Sequence, residues 1–422
     1  MTGSWRQSPT AALSILTGLN VLNYVDRWVV AATLPLILKE FAISDAEGGA
    51  LQSAFILTYA LASPPAGWLG DRRSRIHLAG LGVLVWSAAT VASGLAPTYA
   101  LLLCARALTG VGEASYAVVT PSLLSDQYPA ERRATVLSVF YAAMPIGTAL
   151  GYIAGGVIGA HYGWRPAFFV AGAPGAVLAL LLLTLREPPR GQLDPSGAST
   201  VPLALGPCLR ALASRRSYLF NTVAQTLTSF ALGGLATWMP TYFVRERGLP
   251  IETAAATFGG LVIAAGFAGT LTGGPVTERL SKRWRGAAFA VSGLTLTASV
   301  ASSFVAIFSP TPAVYWPAMF ITLFLIFVNT GPLNAAMANV LPATLRARGF
   351  ALYTLAIHLL GDAISPSLIG FASDRIGLAL PVFITAALFG IAGLVLLATR
   401  DSLDLDERAE GHAPAASAPL HP

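Results

Sequence analysis

The chain has 422 residues, of which 55 % are hydrophobic and 11 % charged, and it carries a net charge of +6. A soluble domain holds about 25 % charged residues, so this composition excludes a water-soluble fold of its size. The high apolar content and the lack of a collagen period exclude a disordered or fibrous chain. Twelve spans of about 20 residues take up about 240 residues and leave room for short loops. The expectation is an all-α protein that crosses the lipid bilayer many times.

Residues 1–9 are short and polar with one basic residue, Arg6, and are read as a cytoplasmic N-terminus rather than a cleaved signal. Apolar stretches then follow at 10–38, 48–70, 77–95, 98–126, 134–160 and 164–185. A segment at 186–216 contains Pro188, Pro189, Pro202, Pro207 and several arginines. It reads as a cytoplasmic linker with a short amphipathic helix near Leu203 to Leu212. Six more stretches follow at 217–244, 252–276, 286–309, 313–340, 347–373 and 378–399. The remainder, 400–422, is acidic and then rich in Ala, Pro and Ser, and is expected to be a disordered cytoplasmic tail. The domains are therefore a six-helix half at 10–185 and a second at 217–399. Two cysteines make no disulfide framework, and Cys104, inside an apolar run, is expected to pack.

With both ends on the cytoplasmic side, 19 Lys and Arg residues fall in inner segments and 5 in outer ones. That bias sets the orientation in a plasma (inner) membrane. It also accounts for the positive charge without nucleic acid, because the basic residues are scattered over loops. Only Arg27 and Arg106 fall inside the membrane.

Ionisable groups inside apolar spans cost several kcal/mol unless paired or wetted, so they mark function. Asp26 and Arg27 lie midway along the first span. Adjacent helical residues point about 100° apart, so these two need not pair with each other. Arg106 and Glu113 lie seven residues apart on the fourth span, on one face but about 10 Å apart along the axis. They are too far apart for direct contact, but a water or a head group can bridge them. Arg106 keeps its charge and anchors an anion or carboxylate. A structural pair such as Asp26 with Arg106 is the alternative for part of the set. Asp26 and Glu113 are candidate proton carriers, with the arginines setting their poise. His358 and Asp362 on the eleventh span are one turn apart and form a possible second polar pair. No phosphate-binding Gly-Lys-Ser/Thr loop and no His/Cys cluster occurs, so no ATPase engine, metal or cofactor is expected. An enzyme using His358 and Asp362 would lack a nucleophile, so none is expected.

Two features of the chain repeat at half its length. Pro129-Ala-Glu-Arg-Arg-Ala heads the fifth span and Pro342-Ala-Thr-Leu-Arg-Ala-Arg the eleventh. Gly67-x-x-x-Asp71-Arg72 closes the second and Gly274-x-x-x-Glu278-Arg279 the eighth. Glycines at 147, 151, 155 and 159 give the fifth span one smooth face for close packing, after a bend at Pro145. The string Gly67-Trp-Leu-Gly-Asp71-Arg72-Arg-Ser74-Arg75 resembles the cytoplasmic signature of the major facilitator superfamily, with Ser74 in place of a glycine. In that reading Gly67 permits close helix approach. Asp71 accepts from a helix N-terminus or an arginine and latches the inner side shut.

Further strings resemble the spinster family of lipid transporters: Asn23-Tyr-Val-Asp-Arg27, Leu51-Gln-Ser-Ala-Phe55, Gly112-Glu-Ala-Ser-Tyr116, Leu137-Ser-Val-Phe-Tyr141 and the run from His358 to Arg375. The resemblance implies twelve helices in two six-helix halves, and a cavity in which Asp26, Arg27, Arg106 and Glu113 are the charges and Glu113 the leading proton site. It implies a secondary transporter that couples to protons and moves a lysophospholipid or related amphipathic small molecule by alternating access. Arg27 and Arg106 would hold the head group, with Tyr116, Trp238 and Tyr242 against the tail. The alternative on the same fold is a general drug or metabolite exporter. A monomer is expected by analogy with the fold.

Overall fold

Helix ends in this chain are fixed by local chemistry. Ser8 caps the first helix, α1 (Pro9–Phe41), by accepting from the Ala11 N–H, and Pro9 occupies its first position. Ser44 and Glu47 form a capping box at the start of α2 (Asp45–Arg72). Ser74 stands where the superfamily signature has glycine, and it caps α3 (Arg75–Leu95) by accepting from the His77 N–H. The structure is a computed structural model that describes residues 8–190, 205–284, 286–341 and 343–409. Residues 1–7, most of the linker (191–204) and the end of the tail (410–422) lie outside the described residues.

The chain continues through α4 (Tyr99–Ala117), α5 (Thr120–Ser125), α6 (Ala130–Tyr141), α7 (Ala143–Tyr162) and α8 (Trp164–Leu183). The second part runs through α9 (Leu205–Ala213), α10 (Arg216–Arg247), α11 (Ile251–Ser281), α12 (Ala287–Phe308), α13 (Pro312–Phe327) and α14 (Thr330–Asn339). It ends with α15 (Ala343–Ala356), a π-turn (Ile357–Asp362), α16 (Ser365–Ile376) and α17 (Ala379–Ala409). Twelve spans result, because the fourth (α4–α5), fifth (α6–α7), tenth (α13–α14) and eleventh (α15 to α16) are each broken. The breaks fall in corresponding spans of the two six-span sets. Ten spans meet the length and hydropathy of a membrane crossing. The other two, α2 and α10, are long enough at 28 and 32 residues but carry more polar side chains.

Three details differ from the sequence reading. The tail does not end its order at 400: α17 continues to Ala409, because Asp406 caps α10 by accepting from the Ser217 N–H (2.8 Å) and Oγ (2.6 Å). Cys104 is exposed on the apolar surface of α4 instead of packed. The amphipathic linker helix begins at Leu205, with Cys208 and Leu212 buried and Leu209 exposed.

The contacts sort the chain into two units that cut across the sequence halves. One comprises Met1–Ala198, Gly233–Ile263 and Ala363–Leu378; the other Ser199–Leu232, Ala264–Asp362 and Ala379–Pro422. In the first, α7 lies along α1 through its glycine face. A Cβ at Gly151 would stand 2.7 Å from the Val25 carbonyl oxygen, and one at Gly155 2.7 Å from Ala32 Cβ. In the second, α12 and α17 cross at Gly293 and Gly393.

Candidate functional site

The four membrane charges pair crosswise between α1 and α4 in the first unit. Arg27 Nη2 donates to Glu113 Oε2 at 2.9 Å, and Arg106 Nη1 donates to Asp26 Oδ1 at 3.3 Å. Thr90 on α3 donates to the other Asp26 oxygen at 2.8 Å. Neither Asp26 and Arg27 nor Arg106 and Glu113 pair with each other, as their helical spacing allows. Glycines on α4 make the arrangement possible. A Cβ at Gly110 would strike the Phe55 carbonyl, and one at Gly112 would lie 2.6 Å from the Gly82 carbonyl oxygen. The helix therefore seats directly against α2 and α3 and turns Arg106 and Glu113 towards α1. Phe55 comes between the two guanidiniums, with its ring centroid 5.1 Å from Arg27 Cζ and 4.9 Å from Arg106 Cζ.

The two pairs differ in exposure. The Asp26, Arg106 and Glu113 side chains are sealed at 0 %, while Arg27 keeps 16 %. Arg27 is thus the most accessible of the four charges. Several donors and acceptors here have no partner: Arg106 Nε and Nη2, Arg27 Nε, Glu113 Oε1, Asn23 Nδ2 and Gln52 Oε1. Buried groups of this kind are normally satisfied, and an arginine carries five N–H donors. The quartet has spare capacity for a polar or anionic group.

The three aromatic residues expected against a substrate tail sit in packed interior, not on an open surface. Tyr116 donates to the Leu16 carbonyl at 2.5 Å and meets Trp86 edge-on at 5.3 Å. Trp238 Nε1 donates to the Pro366 carbonyl at 2.9 Å, and Tyr242 is 1 % exposed. Burial spends their polar atoms on packing.

In the α2–α3 signature, Gly70 allows the close approach, since a Cβ there would be 2.6 Å from Val119 Cγ1; at Gly67 it would be 3.3 Å from Val118 Cγ1. The Asp71 carboxylate is exposed and engages no other residue among those described. Arg75 is the engaged residue: it binds Asp126 at 2.6 Å and Glu187 at 3.0 Å. Arg72 stacks on Trp68 at 4.2 Å. Arg190 donates to the carbonyls of Gly70, Asp71 and Arg73, closing the C-terminus of α2. Outside the membrane, burial pushes the Glu187 carboxyl up. Hydrogen bonds from Ser74 and Arg75 outweigh that and hold it below the ordinary carboxylate range.

At the opposite end of α2 lies a network that sequence reasoning passed over. Asp374, at the end of α16, accepts from the N–H groups of Asp45 (2.7 Å) and Ala46 (3.0 Å), the first two of α2. Asp45 in turn accepts from Arg245 Nη1 and from Ser373 Oγ, both at 2.6 Å. A Cβ at Gly370 would collide with the Asp45 carbonyl, so only glycine admits this approach. The signal was present: Gly370-x-x-x-Asp374-Arg375 repeats the spacing of Gly67-x-x-x-Asp71-Arg72.

Comparison with known proteins agrees with these features. The Major Facilitator Superfamily profile matches residues 16–366. The chain is 35 % identical over 392 residues to the sphingosine-1-phosphate transporter SPNS2 of Danio rerio, covering 88 % of this chain and 77 % of that one. It is 35 % identical over 395 residues to protein spinster homolog 1 of Xenopus tropicalis, covering 89 % and 75 %. The chain belongs to the spinster family of the major facilitator superfamily. A bacterial homolog of the human lysosomal transporter Spinster, crystallised in an inward-facing, unoccupied conformation, shares the fold. Its TM-score is 0.86 at 23 % identity, over 96 % of this chain and 99 % of that one. This is a family of transporters, not enzymes, and the spinster chain described here is a membrane transporter.

The second unit of this spinster chain holds the His358–Asp362 pair. His358 Nδ1 lies 3.1 Å from both Asp362 carboxylate oxygens, and both side chains are about one-fifth exposed at 22 % and 18 %. The pair sits on the π-turn instead of a regular α-helix, a local widening that often marks functional sites.

Proposed function

We propose that this spinster protein is a proton-coupled secondary transporter that moves a lysophospholipid or related amphipathic lipid by alternating access. The observation that carries the reading is the crossed quartet: two buried acids, each held by an arginine, with unused donors on both arginines. An anionic head group competes with the acids for those donors. Protonating Glu113 weakens its hold on Arg27 and frees that guanidinium. Ligand and proton are then linked through the same charges, which is the differential interaction a conformational switch requires. The names of the relatives support a lipid-like substrate.

Arg27, with its residual exposure, receives the head group first, and Arg106 follows once Asp26 lets go. Under the charge bias of the loops, both termini face the cytoplasm of a cell with the protein in its plasma membrane. The α2–α16 network then seals the outer side, and the Asp71 signature lies inside. One molecule suffices for this cycle, so the working unit is a monomer.

The test is reconstitution in liposomes, following lysophosphatidylcholine and lysophosphatidylethanolamine with and without a pH gradient. Gradient-driven movement in the wild type, lost in Glu113→Gln with exchange retained, is the expected result. Equal rate and pH dependence in Glu113→Gln overturns the proton assignment. Absence of lysolipid movement in folded protein overturns the substrate and favours a drug or metabolite exporter.

A further inference from the structure

The second unit holds a half-open cavity that the charge quartet does not use. Its volume is about 160 Å³, bounded by α10, the α13–α14 break and the turn that leads into the π-segment. At roughly 10–15 Å³ per water-sized group, that is room for a small organic moiety. The lining carries no charge and is mixed: most of its exposed surface is apolar, from residues such as Phe327 and Ile357, with the polar groups of Gln225, Ser229, Asn329 and Tyr353 set among them. Tyr353 is 8 % exposed, yet its hydroxyl has no hydrogen-bond partner among the described residues. The Gln225 amide and the Ser229 hydroxyl also engage no other group there. Asn329 is 3 % exposed and points its amide N–H at the Ile326 carbonyl where the tenth span breaks.

The chemistry of this set is selective. Amides and hydroxyls both donate and accept, so they suit a ligand whose groups do both. Without a cation or carboxylate in the lining, an ionic head group would lose its water and gain no counter-charge. An aromatic face beside amides and hydroxyls matches a carbon skeleton with alternating C–H and O–H surfaces. We propose that this cavity is a subsite for an uncharged, multiply hydroxylated group, a polyol such as a glycerol or sugar moiety. The assignment rests on the amphipathic-lipid reading above for its biological source. The spread of two helix breaks into its wall, at Val328–Asn329 and at the π-turn, is what opens the space between otherwise packed helices.

The experiment uses the full chain, purified in a detergent without sugar groups. Two probes are compared by equilibrium binding: lysophosphatidylglycerol, whose head is a polyol, and lysophosphatidic acid, which shares the chain and phosphate but lacks that head. Each is tested on wild type, Tyr353→Phe and Gln225→Leu. The wild type should bind the polyol lipid roughly tenfold tighter, and each variant should bring that ratio to about twofold or less, the scale of one or two lost neutral hydrogen bonds. Lysophosphatidic acid binding should stay unchanged, which also reports a folded site. A wild type without preference, or variants that leave the ratio intact, overturns the subsite.

If neither lipid binds, the lipid reading fails and the subsite is judged alone, by stabilisation of the protein against heat by free glycerol and methyl glucoside. Stabilisation by the glucoside that Tyr353→Phe removes upholds it. Equal stabilisation of wild type and variant, or none, overturns it.

Discussion

Removing the Asp374 carboxylate tests whether the α2–α16 contact is an energetic latch or only a geometric neighbour. At the start of α2 the four N–H groups that lack helical partners are divided with little overlap. Ser44 Oγ takes the Glu47 N–H, the Glu47 carboxylate takes that of Ser44, and Asp374 takes those of Asp45 and Ala46. Asp374→Ala therefore orphans two donors that no capping residue replaces. The carboxylate is exposed, so each bond is set at about 1 kcal/mol, the value for an ordinary hydrogen bond and below the range for charge-assisted ones. The charge at the helix N-terminus adds about 0.5 kcal/mol. The sum, about 2–3 kcal/mol, corresponds to a roughly 30–150-fold rise in the population that lacks this contact.

Ser367 supplies the reporter, since its hydroxyl lies 2.9 Å from that of Ser53 across the same interface. With Cys104 and Cys208 replaced, a Ser367→Cys protein is labelled by a membrane-impermeant maleimide added on the α1–α2 loop side. While the open form is minor, the labelling rate tracks its population. Asp374→Ala should raise that rate by the stated factor, and Asp374→Asn, which retains one neutral acceptor, by about tenfold. An unchanged rate in Asp374→Ala protein that elutes as a single folded species refutes the latch.

Arg106→Leu leaves the Asp26 charge buried without its partner, which costs about 3–5 kcal/mol, so the folded yield should collapse. Asp26→Asn combined with Arg106→Gln should recover much of it, read by thermal melting in detergent. Gly151→Val drives a side chain into the Val25 carbonyl and Trp28 Cβ; an overpacking penalty of about 1–3 kcal/mol or more should lower the melting temperature by several degrees. The depressed Glu187 carboxyl stabilises the α2–α3 end fully above its unfolded value, close to 4.5, and that contribution is lost as pH falls through its lower folded value. Wild-type melting should therefore drop as pH falls below about 5, and Glu187→Gln should flatten that part of the profile; parallel profiles would remove Glu187 from the account.

The sequence showed the spans, their number and the family because these rest on composition and short-range spacing. A membrane span is a matter of length and apolar content, and the Asp26, Arg27, Arg106 and Glu113 charges stand out against that background without any fold. The glycine face of α7 was equally plain, because four-residue spacing puts Gly147 to Gly159 on one side of a helix whatever it packs against. The repeat of the Pro129 and Pro342 strings marked the fifth and eleventh spans as counterparts, but it did not show that both would break.

What only tertiary structure decided is who meets whom. Arg106 pairs with Asp26 and Arg27 with Glu113 because glycines 110 and 112 seat α4 at one depth, and spacing along a single helix carries no information about that depth. Tyr116, Trp238 and Tyr242 looked available as aromatics on a helix face, but burial is a property of the neighbours and not of the residue. Asp374 reads as one more loop acid until α16 brings it to the N-terminus of α2, 329 residues away in sequence. The polyol cavity likewise exists only where two helix breaks face each other. Local spacing fixes which groups a helix can offer; close packing between helices distant in the chain selects which of them are spent on the fold and which remain for a ligand.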